Sequence, residues 1–262
     1  MHRLRLWTLA AGIAFVPSLA LLAQGGGGGG GGQQQPPKNL QVLPKDTPRP
    51  QVVALMRTFT AALGVQCEHC HLRVPGPDGR QVDDQASDSL EPKRIARVMM
   101  KMVNEVNGTF ISNIGRPVAD QHKVTCETCH HGIALPRTIA AEMADAITAK
   151  GADSAIALYR DLRTRYFGRA AYDFGERALP AAAQQIAQAT PDKRPAAIAL
   201  VKLNLEFFPS SAPTYQSLAQ MLVASADTAG AIDALNKAIA LQPENQQLKG
   251  MLNRLKPPPA LR

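Results

Sequence analysis

The sequence predicts a mainly α-helical chain in two parts: a segment of helix–turn–Cys-x-x-Cys-His units, then an α-helical array of the tetratricopeptide kind. Two observations predict it. The pattern Cys-x-x-Cys-His occurs twice, as Cys67-Glu68-His69-Cys70-His71 and Cys126-Glu127-Thr128-Cys129-His130, each preceded by a stretch with helical apolar spacing. The second half instead repeats with a period of 34 residues.

The motif carries its own chemistry. Cys-x-x-Cys-His is the attachment pattern of a covalently bound c-type haem. Two thiols add across the haem vinyl groups as thioethers, and the histidine after the second thiol reaches the iron as proximal ligand. The chain holds 4 cysteines and the two motifs use all of them. A zinc ribbon would place its cysteine pairs about 15–20 residues apart, whereas 55 residues separate Cys70 from Cys126. A thiol redox motif belongs near a βαβ pattern, and none is legible here. Neither alternative explains a histidine after both pairs. The expectation is two haem c groups, attached through Cys67, Cys70, Cys126 and Cys129, with His71 and His130 on the irons.

Residues 1–23 read as a secretory signal: Arg3 and Arg5, then an apolar stretch from Leu6 to Ala23 with small residues Ser18, Ala20 and Ala23 as cleavage sites. The stretch borders on spanning length, so an uncleaved membrane anchor is the competing reading. Export agrees with c-type haem, which bacteria attach outside the cytoplasm. Residues 24–37, with Gly25 to Gly32 followed by Gln33-Gln34-Gln35-Pro36-Pro37, form a flexible tether with nothing to bury. The net charge of +8 is shared evenly by the two halves, with no basic block dense enough for nucleic acid.

Residues 38–137 form the expected dihaem segment. Pro50 to Leu63 reads as an amphipathic helix through Val52, Val53, Leu55, Met56, Phe59 and Leu63. Pro50 suits its first turn and Gly64 its left-handed stop. Met56 lies eleven residues before Cys67, so the turn at Gly64 could set it opposite His71; core filling is the other reading of a methionine there. Pro92 to Val106 repeats the plan through Ile95, Val98, Met99, Met102, Val103 and Val106, with Ser89 or Glu91 as cap. Met99 and Met102 share one face. A longer return, Asn107 to Val124, leads to the second motif. Between the helices, Pro75-Gly76-Pro77-Asp78-Gly79 marks a turn, and Asp83, Asp84 and Asp88 read as a solvated acidic loop without an EF-hand spacing. His69, His122 and His131 are expected to stay off the iron, and His2 falls in the leader.

Three stretches bring a family into view: Met56-Arg57-x-Phe59-Thr60-x-x-Leu63-Gly64-Val65-x-Cys67, then Lys101-Met102-Val103-Asn104-Glu105-Val106-Asn107, then Val124-Thr125-Cys126-Glu127-Thr128-Cys129-His130-His131-Gly132. Through them, about Asn39 to Pro136 resembles the cytochrome c subunit of photosynthetic reaction centres. That subunit builds its haems on such units, with a helix methionine as sixth ligand for most. The resemblance implies Met56 for the first iron, and Met102 rather than Met99 for the second. The subunit usually holds four haems, and this chain has motifs for two.

Residues 138–255 read as the helical array. Tyr215, Leu218, Ala219, Leu222, Ala231, Leu235, Ala238 and Pro243 fall on the 34-residue template over 212–245. Pro209 precedes Pro243 by 34, which places a weaker repeat at about 178–211. Asp153 to Tyr166 reads as an N-terminal half-repeat, Gln246 to Leu255 as a closing helix and 256–262 as a tail. No catalytic constellation occurs in this half.

Together these features point to an exported dihaem c-type cytochrome, periplasmic or tethered. It would carry single electrons to a redox protein or membrane complex, with the array as a docking scaffold. A dihaem peroxidase or a haem-based redox sensor are the rival readings.

Overall fold

The computed structural model describes residues 37–256; the expected leader and most of the tether lie outside the described residues. The elements begin with helix α1 (Arg49–Leu63) and a single tight turn at Cys67–His69. An antiparallel hairpin of β1 (Leu72–Pro75) and β2 (Gln81–Asp84) follows, then α2 (Glu91–Glu105) and the short α3 (Cys126–His130). The second half runs α4 (Ile139–Lys150), α5 (Ala152–Tyr166), α6 (Ala178–Ala189), α7 (Arg194–Phe207), α8 (Ala212–Ala224), α9 (Thr228–Leu241) and α10 (Gln246–Leu255). The chain is mainly helical, as its periodicity predicts.

α1 and α2 form where apolar spacing places them. Pro50 sits in the first turn of α1, where a missing N–H costs nothing, and Gly64 ends the helix at φ 66°, ψ 32°. Two expectations are corrected. The residue capping α2 is Leu90, not Ser89 or Glu91, and no side chain caps it, because Pro92 has already removed one orphan donor of that turn. The acidic loop is not a solvated cluster. Asp83 and Asp84 lie on β2, and Asp84 Oδ1 accepts the N–H groups of Ala86 and Ser87, both at 3.0 Å.

Asp88 is a hub. It accepts from Arg97 at 2.8 Å, Asn39 at 2.9 Å and Gln41 at 3.1 Å, with the Lys93 ammonium at 3.3 Å. These donors, the Arg97 bond foremost, hold its carboxyl far below the usual carboxylate range. The cluster ties the 39–41 segment to α2.

Burial divides the molecule sharply. One continuous apolar core runs from Ile139 to Leu252, whereas residues 37–137 contribute only Ala62 and Ile133 to the buried set. In the second half α4 pairs with α5, α6 with α7 and α8 with α9, and α10 closes on α9. The expected half-repeat at 153–166 is therefore a full hairpin, its first helix α4 hidden in a run dominated by alanine (Ile139–Lys150). Side-chain caps start the helices: Thr138 for α4, Ser211 for α8, Asp227 for α9 and Asn245 for α10. Of the template residues, Ala219, Ala231, Leu235 and Ala238 are fully buried, where small side chains let helices approach.

Within that core Asn204 is completely buried on α7. Its Nδ2 donates to the Glu176 carbonyl and to Thr214 Oγ1, both at 2.9 Å, and Ser211 Oγ donates to the same hydroxyl at 2.7 Å. This joins α7 to the start of α8. Asn204→Ala strips a donor from the buried Thr214 hydroxyl and the part-buried Glu176 carbonyl and is expected to cost about 1–3 kcal/mol, read as a lower urea midpoint by far-ultraviolet circular dichroism.

Candidate haem-binding site

The two motifs are built differently and held together at one junction. In the first, Gly64 reverses the chain and Val65 N–H returns to the Thr60 carbonyl at 3.1 Å. Cys67 then opens a tight turn, closed by His71 N–H on the Cys67 carbonyl at 2.9 Å. In the second, Thr125 and Thr128 form a reciprocal capping box at the start of α3, and His131 ends it in the left-handed region at φ 47°. A single turn of helix is what the spacing needs, since it puts both thiols and the histidine around one edge.

The long return to the second motif is clamped by Asn107. Its Oδ1 accepts the Val124 N–H and its Nδ2 donates to the Val124 carbonyl, each at 2.8 Å. The side chain thus pairs like a strand with the residue two before Cys126. A wide helical turn, Val106–Phe110, carries Asn107 off the end of α2. Sequence reasoning gave Asn107 no role, because its partner is 17 residues away in an irregular loop.

The junction is the packing of α1 on α3. Gly132 N–H donates to the Ala62 carbonyl at 2.8 Å. Gly64 lies so near that an added Cβ would stand 2.1 Å from the Gly132 carbonyl oxygen. Ala62 and Ile133, the two buried residues of this half, lie one on each side of that contact.

The donors suit haem c on several counts. His130 Nδ1 lies 2.9 Å from the Ile133 carbonyl oxygen, which fixes the ring and leaves Nε2 as the free lone pair. His71 Nδ1 is buried with no hydrogen-bond partner among the described residues. Burial foremost pushes the Cys70 and Cys126 thiols up. The apolar surface is of the right kind too. Ile95, Val98 and Met102 form a stripe on α2, exposed by 48, 59 and 47%. Val53, Leu72 and Val82 are exposed as well. A bare apolar stripe on one helix face suits a large planar apolar group. Met56 and Met99 are half-buried, so Met102 is the methionine that α2 displays on its bare stripe.

The comparisons agree with this chemistry. Residues 76–172 match the family model described as the photosynthetic reaction centre cytochrome C subunit. The matched segment is under half of the chain and is similar to the cytochrome c subunit of photosynthetic reaction centres. The match takes in Met99, Met102 and the second motif, begins after the first motif, and runs on through α4 and α5. Cytochrome c-554 of Chloroflexus aurantiacus is 34% identical over 82 residues, covering 31% of this chain and 17% of that relative. The chain therefore spans about a sixth of the length of that curated relative. Both matched names are those of cytochromes, not of enzymes. No solved structure matches the chain.

Gly64→Ala tests the junction. It combines a left-handed backbone with a methyl driven into the Gly132 carbonyl, and is expected to cost about 2 kcal/mol or more. Gly132→Ala is the control: its φ is 85° but an added Cβ meets nothing within 4 Å. It should cost only the backbone strain of about 1–2 kcal/mol. Thermal melts of the haem-loaded chain compare the two.

Proposed function

We propose that the chain is an exported dihaem c-type cytochrome that passes single electrons between redox partners, with its helical array as the scaffold. The observation that carries this reading is the doubled motif joined at one point, with a bare apolar stripe bearing Met102 on α2. When bound, haem c supplies an iron that cycles between ferrous and ferric states, and a soft thioether opposite histidine favours the ferrous form.

The chain's residues do the rest. Cys67, Cys70, Cys126 and Cys129 make the thioethers, and His71 and His130 present Nε2 to the metal. Met56 on α1 and Met102 on α2 are the sixth ligands in this reading, with Met99 the alternative on α2. A methionine on each iron leaves no open coordination position for substrate, which favours electron transfer over peroxide chemistry. The junction supports a relay between the two groups, because Gly64 is three residues from Cys67 and Gly132 two from His130. No described helix is long and apolar enough to cross a membrane. The export reading rests on residues 1–23 and on the chemistry of haem attachment. The array's three hairpins and closing helix support a tetratricopeptide-like docking surface for a redox protein or a membrane electron-transfer complex.

Haem content and the absorption spectrum test the reading. Two haems per chain are expected, with the charge-transfer band of methionine-bound ferric iron. Met56→Ala and Met102→Ala should each remove part of that band, and Met99→Ala should leave it intact. Loss on Met99→Ala alone would move the second ligand to Met99. Carbon monoxide binding by the reduced wild-type protein would favour the peroxidase alternative.

A further inference from the structure

The two proximal histidines sit in different surroundings. His130 Nδ1 is 2.9 Å from the Ile133 carbonyl oxygen, an atom that only accepts, so Nδ1 carries the proton and donates it. His71 Nδ1 is buried and meets no acceptor among the described residues. Donation to a carbonyl pushes electron density onto an imidazole ring and makes its other nitrogen a stronger donor to a metal. A stronger donor stabilises the ferric state more than the ferrous, which lowers the reduction potential.

We propose that His71 and His130 hold their irons at unequal potentials, the His130 iron the lower, so that the relay has a built-in direction. The inference rests on the dihaem reading above. In the transfer one electron leaves ferrous iron at the second motif and reduces ferric iron at the first; no bond breaks and no proton moves.

The test is a potentiometric titration of the haem-loaded full chain, with each haem assigned by omitting the other. Cys67→Ala/Cys70→Ala keeps the second haem, and Cys126→Ala/Cys129→Ala keeps the first. At a given potential the reduced-to-oxidised ratio of the first haem should be about tenfold that of the second, a one-electron offset of about 59 mV. Equal potentials, or a lower value at the first motif, would overturn the inference. Fewer than two haems in the wild-type chain would instead overturn the dihaem reading.

Should either variant fail to fold, proton magnetic resonance of the intact chain decides. The ring Nδ1–H that exchanges slowly with deuterium should belong to the haem reduced last. A slow proton on the haem reduced first, or equal exchange at both rings, would overturn the proposal.

Discussion

The half of the chain that carries both motifs closes at a single backbone contact, the Gly132 N–H on the Ala62 carbonyl at 2.8 Å. Almost nothing else there is buried, since Ala62 and Ile133 are its only core residues. A helix hydrogen bond contributes only about 1 kcal/mol net, and two small buried side chains cannot offset the ordering of a hundred residues. The exposed Ile95, Val98 and Met102 of α2 leave apolar surface there for further burial. Covalent haem would supply that burial. Gly64 and Gly132 matter because the junction leaves no room for a side chain between them.

Much of this was legible in the sequence, for identifiable reasons. α1, α2 and α10 announce themselves by amphipathic spacing and by Pro or Gly at their ends. Ala219, Ala231, Leu235 and Ala238, picked out by the 34-residue spacing, are all fully buried. α4 escaped notice because an alanine-dominated helix (Ile139–Lys150) buries Ile139, Met143 and Ile147 with little contrast between its faces. The β1–β2 hairpin was read only as a turn, since its strands are four residues each and mostly exposed. The Asp88 hub and the Asn107 clamp depend on partners brought near by folding, so no local pattern signals either one. The motifs themselves were fully legible, because covalent chemistry fixes their spacing independently of fold.

Two devices replace a core around the motifs, and both are polar. Asp88 gathers Asn39, Gln41, Lys93 and Arg97, holding residues 39–41 against α2. Asn107 pairs with Val124 and sets the approach to Cys126. Directional bonds of this sort define a geometry even where apolar contact is missing. A multivalent carboxylate is the stronger of the two, because charged hydrogen bonds are worth roughly twice neutral ones. Protonating Asp88 requires pH far below the ordinary carboxylate range, so this tie holds at any neutral or mildly acidic pH.

The boundary at residues 137 and 138 separates sequence patterns better than it separates physics. The family match runs to residue 172 and so includes α4 and α5. Yet Met143 on α4 and Tyr159 on α5 are fully buried in the core that continues to Leu252. Tyr159 meets Phe174 edge to face at 5.6 Å and Phe207 at 5.7 Å, binding α5 to α7. The α4–α5 hairpin thus falls within the family match by sequence and packs with the later helices. Its first helix is capped by Thr138, and Arg137 pairs with Asp145 at 2.5 Å, only a few residues beyond Ile133. The Ile133 carbonyl that orients His130 therefore lies only a few residues before the start of the array. His71 is followed instead by a mostly exposed hairpin. The second unit thus continues directly into α4, and the first joins it through the close approach of Gly64 to Gly132.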